Sequence, residues 1–277
     1  MRTEIYYFSG TGNSLFIAKE LQKRFPGSRL IPMVSLIDSK TIQSQADAVG
    51  FVFPVHALTL PIVVKKFIEK ADLSSAGYLF AVATRLGTVF HGFEKIDRLL
   101  KKKEKKLHAG FILNMCNNEA RHGSYAVPSE EDIRALEKAA LEKLDSIKDI
   151  VGSKTPFREK DSEYLVPANR FIDMLALAGM AVAEHTGGVN YFYTDSKCTG
   201  CGICEKVCLS KKIKMVSGKP VWHKKTLCYM CFACLNYCPA KSVQIHDIPG
   251  VKSQTQTNGR YPHPYAAAKD IAAQKET

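Results

Sequence analysis

The sequence contains 277 residues, of which 45% are hydrophobic, and this supplies enough apolar side chains for one large domain or two domains of unequal size. Its formal net charge of +12 indicates a partner with negative charge: a nucleic acid, a membrane surface or an acidic protein. A transmembrane helix is excluded, because the longest apolar stretch, 174–183, is too short to span a bilayer and has Asp173 and Glu184 at its ends.

The first 120 residues alternate between segments typical of strands and segments typical of helices. Such alternation predicts an α/β fold in which helices cover both faces of a parallel sheet. Five strands fit the doubly wound, flavodoxin-like order. The strands are predicted at 5–8, 29–34, 48–55, 78–84 and 107–115, and the helices at 14–25, 61–70 and 93–103.

A long helix is predicted over 129–151, because Ser129 can cap its start and Asp132 follows three residues later. A second helix is predicted over about 167–184, and the glycine pair at 187–188 marks a boundary. The last segment is polar and Ala-rich, which leaves two alternatives: a disordered end, or a tail that packs back onto the body. The predicted units are a flavodoxin-like domain (1–188), a small α+β domain (189–250) and a C-terminal tail (251–277).

Eight of the nine cysteines occur in two copies of one spaced pattern. The copies read Cys198-x2-Cys201-x2-Cys204-x3-Cys208 and Cys228-x2-Cys231-x2-Cys234-x3-Cys238, the second followed by Pro239. Three thiolates of one copy can bind three irons of a cubane, while the fourth reaches the other cluster. We therefore predict one [4Fe–4S] cluster on Cys198, Cys201, Cys204 and Cys238, and a second on Cys228, Cys231, Cys234 and Cys208.

Zinc is the alternative metal, because paired Cys-x2-Cys units also build zinc ribbons. A tetrahedral zinc site uses two such pairs and has no use for a third cysteine at the same spacing, which occurs twice here. The chain opens at Met1 without the apolar core and cleavage site of a signal peptide, so we expect a reducing, cytoplasmic location. Metal binding is therefore predicted for these cysteines, rather than disulfide formation.

Residues 191–250 resemble a bacterial two-cluster ferredoxin domain, and most of the chain resembles the EFR family of fused flavodoxin–ferredoxin proteins. The segment from Phe8 to Ser14, between the first strand and the first helix, resembles the phosphate loop of flavodoxins. The alternative for this segment is a tight turn that caps the helix. Under the resemblance, the FMN phosphate is held by Ser9, Thr11, Gly12, Asn13 and Ser14.

Three further loops leave the carboxyl ends of the predicted strands, where ligands bind in open α/β sheets. They resemble the regions around the flavin ring in the family, which implies contacts from Pro54, Val55, His56, Thr84, Arg85, Gly87, Asn114 and Asn117. The first two loops lack the aromatic residues that usually stack on the flavin. Either the second domain covers the ring, or the flavin is weakly held or absent. Cys116 ends an apolar strand, which favours core packing over a flavin contact.

The resemblance implies an electron carrier that passes single electrons between FMN, two [4Fe–4S] clusters and another protein. Residues 191–250 contain nine lysines and three acids, so we expect an acidic redox protein or oxidoreductase as partner and no nucleic acid. One alternative is an FMN-dependent reductase of a quinone or nitro compound, with His122 and Tyr125 as proton donors. A second alternative is an iron–sulfur redox sensor. The sequence does not predict the oligomeric state.

Overall fold

The structure, a computed structural model, describes residues 1–86, 89–160, 174–175, 178–179, 181–182, 191–247 and 251–276. Gly87, most of the helix predicted over 167–184 and the predicted boundary at 188 therefore lie outside the described residues. Within the described ranges, no helix has both the length and the apolar character needed to cross a bilayer.

The described residues form twelve strands and eight α-helices. The strands are β1 (Thr3–Tyr7), β2 (Arg29–Pro32), β3 (Ile42–Gln43), β4 (Ala48–Pro54), β5 (Ala71–Asp72), β6 (Tyr78–Arg85), β7 (Ala109–Asn114), β8 (Phe157–Arg158), β9 (Phe192–Thr194), β10 (Ile213–Val216), β11 (Lys219–Trp222) and β12 (Val243–Ile245). The helices are α1 (Asn13–Arg24), α2 (Met33–Leu36), α3 (Ile62–Lys70), α4 (Gly92–Lys101), α5 (Glu130–Gly152), α6 (Ile203–Val207), α7 (Ala233–Asn236) and α8 (Ala268–Ala272).

The main sheet is parallel and has the strand order β2-β1-β4-β6-β7-β8. Its first five members have the doubly wound, flavodoxin-like order, so the predicted fold class is confirmed. Every residue of β6 is buried, as expected for a central parallel strand covered by helices on both faces. The core extends from this sheet into the helices that cover it.

The structure corrects the end of the second strand, adds the short strands β3, β5 and β8, and confirms one predicted detail of α5. The second strand stops at Pro32, because Met33 begins the short helix α2 and turns the chain inward. The edge strand β8 was not predicted, since its two residues are exposed and too few to form a pattern. The predicted capping box of α5 is present: Ser129 and Asp132 exchange backbone and side-chain hydrogen bonds.

The cysteine-rich region contains two antiparallel pairs, β9 with β12 and β10 with β11. Its two cysteine loops share one backbone geometry, because equivalent positions have left-handed φ angles. Gly202 has a φ of 75° before α6, and Phe232 has a φ of 56° before α7. Two residues earlier in each loop, Gly200 and Met230 are also equivalent, with φ angles of 70° and 50°. At these positions the first loop has glycine, whereas the second loop adopts the same left-handed conformation with residues that have side chains.

The tail over 251–276 follows the second of the two predicted alternatives, because it packs onto both parts of the chain. Arg260 is buried and donates hydrogen bonds to the carbonyls of Leu235, Val243 and Thr255. Ile271 is fully buried in the same core as the main sheet. The tail therefore connects the cysteine-rich region to the main sheet.

Candidate functional site

The first predicted cluster set surrounds one cavity. It is lined by Cys198, Cys201, Cys204 and Cys238, together with residues of the intervening loop such as Gly200 and Gly202. The Cys204 thiol also lies within electrostatic range of the other three. The sequence separates Cys238 from the rest of the set by more than thirty residues, so it is the tertiary structure that brings it to them. This grouping is the crossed one expected for a two-cluster ferredoxin.

The second predicted set is grouped in the same crossed manner. The Cys234 thiol interacts electrostatically with Cys208, Cys228 and Cys231. Cys208 comes from the first copy of the pattern, and its thiol also interacts with those of Cys228 and Cys231. Cys204 is a further neighbour of Cys234, so the two sets are close to each other. Two clusters on these residues would therefore be neighbours.

Burial disfavours the thiolate form of these cysteines in the metal-free chain. It raises the pKa of both Cys204 and Cys228 to about 11, and it raises the pKa of Cys231 and Cys234 as well. Because iron binds the thiolate, a cluster assembled on these residues would have to displace these protons. Two backbone N–H groups already donate to sulfur: Met230 N to Cys228 Sγ at 3.4 Å, and Ser242 N to Cys238 Sγ at 3.2 Å.

In the part of the chain that the structure describes, no three His, Cys, Asp or Glu side chains are close enough together to hold a single metal ion. The four thiolates of a cubane each bind a different iron and are spaced around the whole cluster. The arrangement of the cysteines thus fits the donor set of a [4Fe–4S] cluster. The ninth cysteine, Cys116, is buried apart from both sets, and its carbonyl accepts a hydrogen bond from Asn13.

The glycine loop between β1 and α1 lies at the carboxyl edge of the sheet, as predicted. Its three hydroxyl groups each have a partner within the chain. Ser9 Oγ accepts from Gly12 N at 3.1 Å, and Thr11 Oγ1 accepts from Asn118 Nδ2 at 2.5 Å. Ser14 Oγ lies 2.8 Å from Thr84 Oγ1, so this pair joins two of the predicted flavin loops.

Other parts of the chain cover this loop closely. A Cβ built on Gly12 would lie 2.5 Å from Ala266 Cβ and 2.6 Å from His263 Cβ. The side chain of Gln274 bonds both main-chain atoms of Ser9, donating to its carbonyl and accepting from its N–H. FMN bound at this loop would therefore compete with the tail for the groups predicted to hold its phosphate.

The remaining predicted flavin loops meet at the same edge. Val55 N, next to Pro54, donates to the Thr84 carbonyl, and Met115 N, next to Asn114, donates to the Arg85 carbonyl. Asn117 Oδ1 accepts from Glu119 N, which shapes the loop after β7. His56 is half-buried beside Phe8, and desolvation lowers its pKa to about 4. A neutral His56 supplies no fixed positive charge at neutral pH.

The two predicted proton donors have contrasting environments. His122 forms an ion pair with Glu119 at 3.2 Å, and this bond raises the pKa of His122. Tyr125 is buried, and its hydroxyl has no hydrogen-bond partner among the described residues. Burial raises the pKa of Tyr125 to about 12. Only His122 is therefore suited to exchange protons near neutral pH.

Several residues at the site were not predicted from the sequence. Lys212 is a buried lysine whose ammonium donates to the carbonyls of His223 and Thr226 and lies in electrostatic range of Cys208 and Cys228. Nothing in its sequence context distinguishes it from eight other lysines nearby. Tyr229 places its ring edge-on to Phe8, with 6.3 Å between ring centroids, so the aromatic cover of the sheet edge comes from the cysteine loop.

No protein-family model matches the chain, and no curated protein matches it. Solved structures with similar folds include the two-electron reduced flavodoxin of Megasphaera elsdenii (17% identity, covering 50% of this chain and 98% of that one, TM-score 0.33). Another is the FMN-dependent NADH-azoreductase of Bacillus anthracis in complex with FMN (9% identity, 53% and 100%, TM-score 0.36). A third is a flavodoxin from the Archaea (11% identity, 53% and 99%, TM-score 0.33). Each likeness concerns the fold, and no cofactor of this chain follows from it.

Proposed function

We propose that this chain is an iron–sulfur electron-transfer protein that carries two [4Fe–4S] clusters in its cysteine-rich region. The observation that carries the proposal is the crossed grouping of the cysteines. Cys198, Cys201, Cys204 and Cys238 line one cavity, and Cys208 from the first copy interacts with Cys228, Cys231 and Cys234. This pattern is typical of two-cluster ferredoxins.

The clusters would supply one-electron redox chemistry, and the protein residues would hold, insulate and tune them. Backbone donors to sulfur, such as Met230 N and Ser242 N, favour the reduced and more negative state. The positive charge of Lys212 acts in the same direction. The flavodoxin-like sheet covers one side of the second cysteine loop through Gly10 and Phe8.

FMN forms a separable part of the proposal. The predicted loop has the position and the hydroxyl side chains of a flavodoxin phosphate loop, and α1 starts there, which favours an anion. The tail contacts at Ser9 and Gly12 oppose FMN binding. An FMN-containing carrier thus requires the tail to move away from the loop, whereas the iron–sulfur part of the proposal does not.

The proposal also includes membership of the EFR family, a cytoplasmic location and an acidic redox partner. The carrier is preferred over a reductase of small oxidants, because only one of the two predicted proton donors, His122, is suited to exchange protons near neutral pH, whereas burial raises the pKa of Tyr125 to about 12. A redox sensor that binds nucleic acid would show DNA affinity that falls steeply with salt.

The test is anaerobic purification of the full chain with iron, sulfide and flavin quantified. We expect about eight irons and eight sulfides per chain. Eight irons without flavin would support the cluster proposal and contradict the FMN component. Zinc in place of iron, with no acid-labile sulfide, would overturn the proposed function.

A further inference from the structure

The two cysteine loops have different surroundings. The second loop faces the main sheet: a Cβ on Gly10 would lie 2.0 Å from the Cys231 carbonyl oxygen, and Tyr229 packs edge-on to Phe8. In the first loop Cys201 is exposed, and it is the one exposed cysteine of the nine, all of which are described. A second protein can therefore approach the first cysteine set more closely than the second.

Three exposed lysines adjoin the first set. Lys197 precedes Cys198 in the chain, and Lys219 Nζ donates to the Cys198 carbonyl at 3.1 Å. Lys241 N donates to the Cys238 carbonyl at 3.0 Å. Over the described ranges none of the three lysines forms a salt bridge, although the charge of Lys197 acts on the nearby Asp195 carboxylate.

The nearest acids offset only part of this positive charge, because one carboxylate, Asp195, faces three lysines and Glu205 is paired elsewhere. Asp195 is half-buried, and its carboxylate accepts from Gln244 Nε2 and from the backbone N–H of Lys197. Glu205 is also half-buried and is paired with Lys214 at 3.3 Å. The lysines thus form a positive rim around an exposed cluster ligand, which would attract a negatively charged partner over several ångströms.

We propose that this face, defined by Lys197, Lys219, Lys241 and Cys201, docks an acidic redox protein over the first cluster. The inference rests on the proposed function and adds to it which of the two clusters meets the partner. One electron leaves the reduced cluster, which changes from the 1+ to the 2+ state, and enters the oxidised cofactor of the partner. No covalent bond is made or broken, and no proton moves.

A nucleic acid is a poorer fit to this face. Its phosphates form a long row of charges and favour a matching row of cations, whereas the three lysines here adjoin a single cysteine set. A second copy of the chain is disfavoured as well, because both copies would present the same positive rim. A small acidic patch above a buried redox cofactor has the complementary charge and size.

The experiment compares two triple variants of the anaerobic holoprotein, using oxidised flavodoxin of net negative charge as the probe. The face variant is K197E/K219E/K241E, and the control is K101E/K102E/K106E, which changes the net charge by the same amount on the sheet domain. Binding is measured by calorimetry at low salt, and one-electron transfer by stopped-flow absorbance. We expect the face variant to lower both the affinity and the second-order rate about tenfold or more, with a change of less than about threefold in the control.

Iron content is measured first in every protein. Wild-type protein without iron would contradict the proposed function itself. Eight irons in all three proteins, with equal losses in both variants, would mean that net charge rather than this face guides the partner, and the docking proposal would be wrong. Unchanged binding in the face variant, or displacement of the flavodoxin by single-stranded DNA, would also overturn it.

Discussion

The carbonyl oxygen of Cys231 lies against the backbone of Gly10, so closely that a Cβ at residue 10 would be 2.0 Å from it. One residue belongs to the second cysteine loop and the other to the glycine loop of the flavodoxin-like sheet. The carboxyl edge of the sheet, where such folds bind their ligands, is therefore in direct contact with the cysteine-rich region. Glycine at residue 10 is required here by close packing between two parts of one chain.

Gly10→Ala is expected to destabilise the holoprotein by about 1–3 kcal/mol, because the new methyl group must displace the Cys231 main chain. Urea unfolding monitored by both circular dichroism and cluster absorbance measures this change. The matched control is Gly152→Ala at the end of α5, where a Cβ would meet nothing within 4 Å. Equal stability of the two variants would show that the cysteine loop does not press on Gly10 in solution.

Gln274→Ala is expected to loosen the tail from the glycine loop. It leaves the buried N–H and carbonyl of Ser9 without their present partners, at a cost of about 1–3 kcal/mol for each. FMN binding at this loop should then tighten about tenfold for each 1.4 kcal/mol of free energy that FMN no longer spends on displacing the Gln274 contacts. Quenching of flavin fluorescence measures it.

The control for the tail experiment is Gln256→Ala, which removes one exposed hydrogen bond to Tyr193. FMN affinity should be the same in this variant as in wild type. An absence of FMN binding in both Gln274→Ala and a chain shortened before Gly259 would show that the loop only connects parts of the protein.

Acid is expected to destabilise the protein through His263. Burial lowers the pKa of this residue from 6.5 to about 4, so between these values the unfolded chain binds a proton that the folded chain does not. Stability is therefore lost as the pH falls from 6.5 towards 4, by up to roughly 3 kcal/mol. Glu137 Oε1 lies 3.2 Å from His263 Nε2, but the two atoms are not aligned for a hydrogen bond. Burial raises the pKa of Glu137, so the folded chain binds a proton at this residue more readily than the unfolded chain, and this opposes part of the loss of stability in acid.

Urea midpoints measured between pH 4 and 7 test this pH dependence. His263→Gln should flatten the slope, and the exposed His223→Gln should leave it unchanged. His56 has a pKa of about 4 for the same reason, so part of the slope should remain in His263→Gln. A slope identical to that of wild type in His263→Gln would contradict the assignment.

Cysteine variants test the crossed ligand sets. Cys208→Ser and Cys234→Ser should perturb the same electron paramagnetic resonance signal, because their thiols belong to one set. Cys204→Ser should perturb the other signal. Iron is expected to fall from about eight towards four per chain in each variant. Cys116→Ala is the control and should retain eight irons. If Cys208→Ser and Cys204→Ser instead perturbed the same signal, the crossed arrangement would be excluded.

Lys212→Met is expected to lower the reduction potential of the second cluster. The buried ammonium lies in electrostatic range of Cys208 and Cys228, so its loss disfavours the added electron. A fall of about 60 mV corresponds to a tenfold change in a one-electron equilibrium. Redox titration of the holoprotein measures it, with Lys212→Arg as the charge-conserving variant. Lys214→Met, which removes an exposed partner of Glu205, should shift the potential far less.

The sequence by itself determined the fold class and the capped helix α5, because each rests on short-range patterns. Buried strands such as β6 require apolar runs, and the start of α5 requires a capping residue at Ser129. The spacing of the cysteines, also a short-range pattern, fits the shape of a cubane and carries the cluster prediction. The crossed partnership of Cys208 and Cys238 remains a prediction that the cysteine variants test.

Only the tertiary structure decided what the glycine loop touches. Gln274 is separated from Ser9 by 265 residues, and no local pattern indicates that its amide would bond both main-chain atoms of that residue. The same applies to the buried charge of Lys212 and to the contact of Cys231 with Gly10. A glycine in the sequence does not indicate why it is needed, because phosphate binding and close packing against another backbone both require a residue without a side chain.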